Sequence, residues 1–243
     1  MVKKKINLKT SNLWKKAKKI IPGGNMLLSK RPEMFLPNKW PAYFSRSKGC
    51  FVWDLDNKKY IDVSLMGVGT NILGYANSLI DKKVKEVIKK GNLTTLNCPE
   101  EVELAKKLVS MHPWNGMAKF ARTGGEACSI AIRISRAYSK KEIVLACGYH
   151  GWHDWYLASN LKNKKNLNKH LLNKTAIKGV PKNLRNTIKL FEYNKLNDFK
   201  EIIKNNKNIS TVIMEVSRNF SPTKNFLEEI RRITLQKKNC FDF

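Results

Sequence analysis

The sequence predicts an α/β protein: a central, mostly parallel sheet with helices on both faces, preceded by an N-terminal helix and a β-hairpin. Three observations carry that reading. From about residue 118 onward, short strand patterns alternate with helical ones, the order that builds parallel sheets covered on two sides. Before that point, Phe51–Leu55 and Lys59–Val63 flank the turn signal Asp56-Asn57, so an antiparallel hairpin stands apart from the alternating series. The 243 residues are 42% hydrophobic, enough to bury a real core in one or two domains and too apolar for a disordered tail.

The elements follow in order. Residues 11–20 carry a short amphipathic helix pattern that ends at Pro22-Gly23-Gly24. After the hairpin, Ile80, Val84, Val87 and Ile88 recur at helical period from Asn77 until Gly91 closes the run. A further helix fits Pro99–Ser110, with Val102, Ala105, Leu108 and Val109 inward. A short strand near Ala118–Ala121 enters a glycine turn, and a helix leaves it with Ala127, Ile130, Ala131, Ile134 and Tyr138 on one face. Strand Ile143–Cys147 comes next, then a lysine- and asparagine-rich connection over 160–186. Strand Ile188–Phe191, helix Asp198–Lys204, strand Thr211–Glu215 and helix Asn225–Leu235 complete the series. Asn239–Phe243 reads as the opening of one more strand, so the sheet is expected to be incomplete, with an unpaired edge.

Charge and composition narrow the function. The 47 basic and 19 acidic residues give a net charge of +28. Lysine clusters that release counterions from a phosphate backbone would make this a nucleic-acid-binding protein. Against that, the lysines are spread along the whole chain, no nucleic-acid motif accompanies them, and Lys, Asn and Ile share A/T-rich codons. Specific nucleic-acid binding is therefore not expected, and a basic binding module without catalysis stays as the alternative function. No run approaches the roughly 20 apolar residues of a membrane helix, and Met1–Lys5 has no apolar stretch behind it, so neither a membrane span nor a secretory signal is expected. The five cysteines are scattered without a C-x-x-C pair and read as reduced thiols of a cytoplasmic protein.

Two stretches carry chemistry. In Phe120-Ala-Arg-Thr123-Gly124-Gly125-Glu126-Ala127 a strand enters two glycines and a helix leaves them. Glycines let backbone N–H groups approach a ligand, and a helix N-terminus has free donors and a partial positive charge, so this is a candidate phosphate cradle to which Thr123 adds a hydroxyl. In Cys147-Gly148-Tyr149-His150-Gly151 an aromatic residue stands at the end of the next strand, where open α/β sheets bind ligands, and offers a flat face to a planar ring. Each alone is more often a tight turn or a packed tyrosine. Together, on successive strand ends, they point to one phosphorylated aromatic cofactor. His150-x-x-His153-Asp154 is also a possible metal pair, but it lacks a third-ligand motif and no metal is expected.

These two stretches resemble the cofactor site of the class III aminotransferases, most closely the glutamate-1-semialdehyde 2,1-aminomutase-like branch. That branch reads S-G-T-E-A where this chain has Thr123-Gly124-Gly125-Glu126-Ala127, and Y-H-G where it has Tyr149-His150-Gly151. The likeness continues in order through Ile21-Pro-Gly-Gly24, Val52-Trp-Asp54 with Tyr60-Ile-Asp62, Ile72-Leu-Gly74, Glu101–Ala105, Gly179-Val-Pro181, Phe191-Glu-Tyr-Asn194 and Phe226–Thr234. It implies the aspartate aminotransferase-like fold type I of PLP-dependent transferases. Residues 1–75 would be the N-terminal part of the small domain, and 76–243 the first portion of the large domain that binds pyridoxal 5′-phosphate.

The implied activity is amino-group transfer between small-molecule donor and acceptor, or intramolecular aminomutase chemistry, in a homodimer built across a two-fold interface, with residues 94–98 facing the cofactor of the second copy. Thr123, Gly124 and Gly125 would hold the cofactor phosphate, with Glu126 near the reacting centre. Tyr149, followed by His150, would stack on the pyridine ring, and Glu215 would support the site from the next strand. Asp242 would match the aspartate that pairs with the pyridine nitrogen. The Schiff-base lysine of relatives lies beyond that strand and has no match here, so no catalytic lysine is present and this chain is expected to lack turnover. Two departures stand out: Gly125 replaces the threonine of the family cradle, and Val68-Gly69-Thr70-Asn71 lacks the tryptophan that aminomutases carry before Ile-Leu-Gly. The wording Tyr149-His-Gly-Trp-His-Asp154 resembles relatives of polysaccharide and sugar-nucleotide pathways.

Overall fold

The computed structural model describes residues 8–37, 39–63, 66–170, 177–217, 220–237 and 241–242. By its contacts the chain divides into two units, one ending at Cys98 and one starting at Pro99. In the first unit, helix α1 (Leu8–Ile20) buries Trp14 and Ala17. The Trp14 indole donates to Glu33 Oε1 at 3.0 Å, and the Lys18 ammonium reaches the same oxygen at 3.2 Å. The indole bond, more than the lysine, holds the Glu33 carboxyl below its usual range.

The hairpin has the expected antiparallel pairing, β2 (Phe51–Asp54) with β3 (Lys59–Ile61), and one strand more than the sequence reading anticipated, β1 (Phe44–Lys48), which pairs with β2. Asp54 builds the turn. It is 1% exposed; Oδ1 accepts the N–H groups of Asp56 and Lys58 and Oδ2 the Tyr60 hydroxyl, each at 2.9 Å. A buried carboxylate is tolerable because these donors replace water. Helix α2 (Ser78–Lys89) starts where predicted, capped by Asn77, whose Oδ1 accepts the N–H groups of Leu79 and Ile80. This helix falls in the first unit.

In the second unit, helix α3 (Pro99–Met111) and helix α4 (Gly124–Ser139) lead into a four-stranded sheet. Its order is β5 (Ile188–Leu190), β4 (Ile143–Cys147), β6 (Ile209–Met214), β7 (Phe241–Asp242), and every pairing is parallel. Central β4 divides the core by simple alternation. Val144 and Ala146 join a cluster with Ile132 of α4, and with Trp155 and Tyr156 of the short helix α5 (Asp154–Leu157). Leu145 and Cys147 join Phe199 and Ile203 of α6 (Leu196–Asn205), with Phe226 and Ile230 of α7 (Phe226–Gln236). Helices thus cover both faces, as expected.

Three expectations need correction. Ala118–Ala121 is not a strand: it finds no ladder partner among the described residues, and a strand exists only through its partner's hydrogen bonds. The inward face of α4 is Ile132, Ser135 and Ser139, while Ile134 and Tyr138 are exposed. The serines can be buried because their hydroxyls donate to carbonyls four residues back, Ala131 at 2.9 Å and Ser135 at 2.7 Å. Val102 of α3 is likewise exposed, with Ala105, Leu108 and Val109 half-buried.

The two isoleucines of α4 separate these faces experimentally. Ile132→Ala, at a site 2% exposed, is expected to lower the unfolding free energy by about 2–5 kcal/mol. Ile134→Ala, at 51% exposed, should change it by under about 0.5 kcal/mol. Urea denaturation followed by circular dichroism reads both.

Candidate functional site

Backbone without a ladder partner among the described residues delivers the chain to the start of α4. Thr123 is the N-cap: its Oγ1 accepts the Glu126 N–H at 3.2 Å. Glu126 turns back, its Oε2 accepting the N–H groups of Arg122 at 2.9 Å and Thr123 at 3.2 Å. This reciprocal capping box locks the helix start. It leaves the N–H groups of Gly124 and Gly125 without an acceptor among the described residues. A side chain at Gly124 would meet nothing within 4 Å, so the approach is open. Two free donors, the positive end of the helix dipole and open space fit an anion of phosphate size. The Thr123 hydroxyl keeps its own hydrogen to donate.

Beyond β4 the chain turns sharply. Gly148 and Gly151 hold φ of +96° and +94°, a region other residues enter only under strain. The turn leaves Tyr149 39% exposed and buries His150. His150 Nε2 lies 2.9 Å from the Cys147 carbonyl oxygen, and its ring meets Tyr156 edge-on at 5.7 Å. Tyr156 donates its hydroxyl to the Gly148 carbonyl and meets Tyr149 edge-to-face at 6.4 Å. His150 thus braces the turn from beneath, while Tyr149 presents its ring above it.

The cradle and the tyrosine turn meet through bare glycine backbones: a Cβ on Gly151 would lie 3.2 Å from the Gly125 Cα. From β6, the Glu215 N–H donates to the Cys147 carbonyl at 3.2 Å, and its carboxylate lies against Gly148, where a Cβ would come 2.8 Å from Cδ. Thr123, Gly124, Gly125, Glu126, Tyr149, His150 and Glu215 therefore gather at one end of the sheet. Asp242 lies on β7 in register with Val212, and the expected role of its carboxylate lies outside the described side chains.

Sequence reading gave three residues here no role at the cofactor site. Tyr193 donates its hydroxyl to the Val216 carbonyl, and burial first, then Cys147 and Glu215, pushes its phenol above the ordinary range. Asn194 donates to the Ser221 carbonyl and accepts the Thr223 N–H, each at 3.0 Å, so Tyr193 and Asn194 tie down the loop after β6. His153 turns its imidazole onto Gly125. The one signal for it in the sequence was a second glycine in a helix's first turn, which weakens the helix and so asks for a packing reason. Among the described residues no group of three His, Cys, Asp or Glu side chains could hold a metal ion.

The model of the family described as "Aminotransferase class-III" matches residues 37–241. The chain belongs to the class-III aminotransferase family. Among its curated relatives, the glutamate-1-semialdehyde 2,1-aminomutase of Sulfolobus acidocaldarius is 33% identical over 209 residues, covering 84% of this chain and 48% of the relative. The 3-aminobutyryl-CoA aminotransferase of Cloacimonas acidaminovorans is 36% identical over 200 residues, covering 82% and 44%. This class-III aminotransferase chain spans about half the length of the curated relatives it matches. Among solved structures, the FumI protein of Sphingopyxis sp. MTA144 superposes with a TM-score of 0.80 at 23% identity, over 96% of this chain and 54% of that one. An omega-transaminase from Sphaerobacter thermophilus gives 0.76 at 21%, over 96% and 53%. A transaminase solved with PLP bound gives 0.79 at 21%, over 98% and 55%. The fold is accordingly that of the fold-type-I transaminases, as the resemblance implied.

The capping box makes a structural demand separable from any ligand. Thr123→Ala removes the acceptor for the Glu126 N–H and should cost about 1 kcal/mol of stability. Glu126→Gln keeps a carbonyl oxygen able to accept the same donors and should cost less. Thermal melts of the ligand-free chain measure both.

Proposed function

We propose that this chain carries the phosphate and ring-binding half of a pyridoxal 5′-phosphate site, and that the protein moves amino groups on small molecules by transamination or aminomutase chemistry. One observation carries the reading: the close approach of Gly125 and Gly151 joins a helix-start anion cradle to an exposed aromatic ring. A phosphorylated planar cofactor is the ligand that needs both. Thr123, Gly124 and Gly125 would hold its phosphate, and Tyr149 would stack on its ring with His150 fixing the turn below. Glu215 would support the site from the end of β6, and Asp242 on β7 would match the aspartate that pairs with the pyridine nitrogen. When bound, this cofactor supplies an electron-withdrawing ring that stabilises charge on an amino-bearing carbon.

The relatives named for aminomutase and for aminobutyryl-CoA aminotransferase support amino transfer as the class, without choosing the substrate. A homodimer is part of the proposal; the exposed apolar side chains of α2, among them Ile80, Val84 and Ile88, are surface that a second copy would cover. The free cysteines Cys50, Cys98, Cys128 and Cys147 agree with a reducing, cytoplasmic setting. No described helix is long and apolar enough to cross a membrane.

Absorbance and fluorescence titration of the chain with pyridoxal phosphate should give saturable binding. Tyr149→Ala should weaken it about two- to tenfold, the worth of one aromatic stack. Specific duplex binding that survives physiological salt, without cofactor uptake, would reverse the ranking of enzyme over basic binding module. Amino transfer by these 243 residues alone should be absent, since covalent catalysis needs a lysine amine opposite the cradle to hold the cofactor and carry the proton. Measurable turnover by the purified chain would overturn that requirement.

A further inference from the structure

We infer that His153 is a ligand of the cofactor phosphate, reaching into the cradle from the loop after β4, and that residue 125 is glycine in order to admit it. This rests on the reading that the cradle binds pyridoxal phosphate. The reason residue 125 is glycine is not in the backbone. Gly125 sits in the first turn of α4 with no left-handed backbone, and there a glycine is less favourable than alanine. What excludes a side chain is the imidazole: a Cβ on Gly125 would lie 2.6 Å from His153 Nδ1.

His153 has no structural task that explains this position. It is the N-cap residue of α5 by sequence, yet its side chain makes no capping bond; only its carbonyl does, accepting from Tyr156 and Leu157. Nδ1 is buried and has no hydrogen-bond partner among the described residues. An unpaired buried nitrogen is destabilising, a cost that a ligand would remove. The ring is oriented by near-parallel stacking on Trp152, with centroids 5.0 Å apart and an angle of 12°. Its neighbour at the cradle is Gly125, whose N–H, like that of Gly124 before it, has no acceptor among the described residues. An oxyanion bound by those donors would stand beside the residue on which the imidazole packs, where a turn of the ring would present a nitrogen to it, and a hydrogen bond to a charged phosphate oxygen is among the stronger kinds. His153 thus takes the space of a side chain at position 125 and brings a donor in its place.

The test compares pyridoxal phosphate with pyridoxal, which lacks the phosphate, by titration of the 243-residue chain. His153→Ala should weaken pyridoxal phosphate about ten- to hundredfold and leave pyridoxal within about twofold, the size of one charge-assisted hydrogen bond. Gly125→Thr alone should lose phosphate-dependent affinity, because its side chain collides with the imidazole. The double variant Gly125→Thr/His153→Ala should regain it, the collision gone and a hydroxyl restored. In the wild-type chain, inorganic phosphate should shift the His153 ring resonances in NMR spectra and leave those of His112 in place, a readout no variant's folding can confuse. Unmoved His153 resonances at saturating phosphate, wild-type affinity in His153→Ala, or equal losses for both ligands would overturn the role of His153 while the cradle stands. A wild-type chain that binds neither ligand, or binds pyridoxal as tightly as pyridoxal phosphate, would overturn the cradle and the inference with it.

Discussion

The carbonyl end of β4 organises the second unit. Ala146 accepts the Phe191 N–H at the end of β5, and Cys147 accepts the Glu215 N–H at the end of β6. His150 Nε2 turns back onto the same Cys147 carbonyl, and Tyr156 onto that of Gly148. Four partners thus meet three successive carbonyls at the point where the strand leaves the core. Val144, Leu145 and Ala146 are fully buried, so that end cannot shift without moving both hydrophobic clusters. A rigid strand end is what a loop needs if it is to present a ring and an anion site at fixed separation.

From that anchor the glycines follow as consequences. Gly148 must be glycine twice over, for its left-handed backbone and for the Glu215 carboxylate packed where a Cβ would stand. Gly151 repeats the requirement against Gly125. Gly125 differs, because its backbone would accept any residue and only the His153 ring forbids one. Position 125 and position 153 are therefore coupled choices. A side chain at one and an imidazole at the other compete for one volume.

Much of this was legible in the sequence, and the rest was hidden for identifiable reasons. Parallel order, two-sided helical cover and the Asn77 and Thr123 helix starts follow from local chemistry: alternation, caps and glycine turns. The inward face of α4 was not legible, since Ile130, Ile134 and Tyr138 outweigh Ser135 and Ser139 in apolar character. The serines bury only because the helix's own carbonyls satisfy them. The Ala118–Ala121 strand failed because strand patterning says nothing of whether a partner is available. At the site, the cradle residues and Tyr149 could be placed by motif. The position of His153 could not, because its contact with Gly125 crosses from one loop to another.

The capping box gives the cradle an electrostatic problem that bears on His153. Glu126 places a carboxylate in the first turn, where it stabilises α4 by opposing the positive end of the helix dipole. The same negative charge stands close to where an anion would bind and offsets part of the attraction that the free N–H groups of Gly124 and Gly125 supply. Glu126 is exposed, so solvent screens much of that repulsion, but what is left still subtracts from what the helix start offers an anion. A cradle with so firm a cap therefore gains from an added donor that is not part of the helix. Arg122, next to the box, is exposed and screened by solvent. His153 has its Nδ1 buried and its ring held by Trp152, so a bond from it to an anion would be formed in a drier setting and at smaller entropic cost. On this argument the histidine compensates for a helix start whose stability was obtained with negative charge.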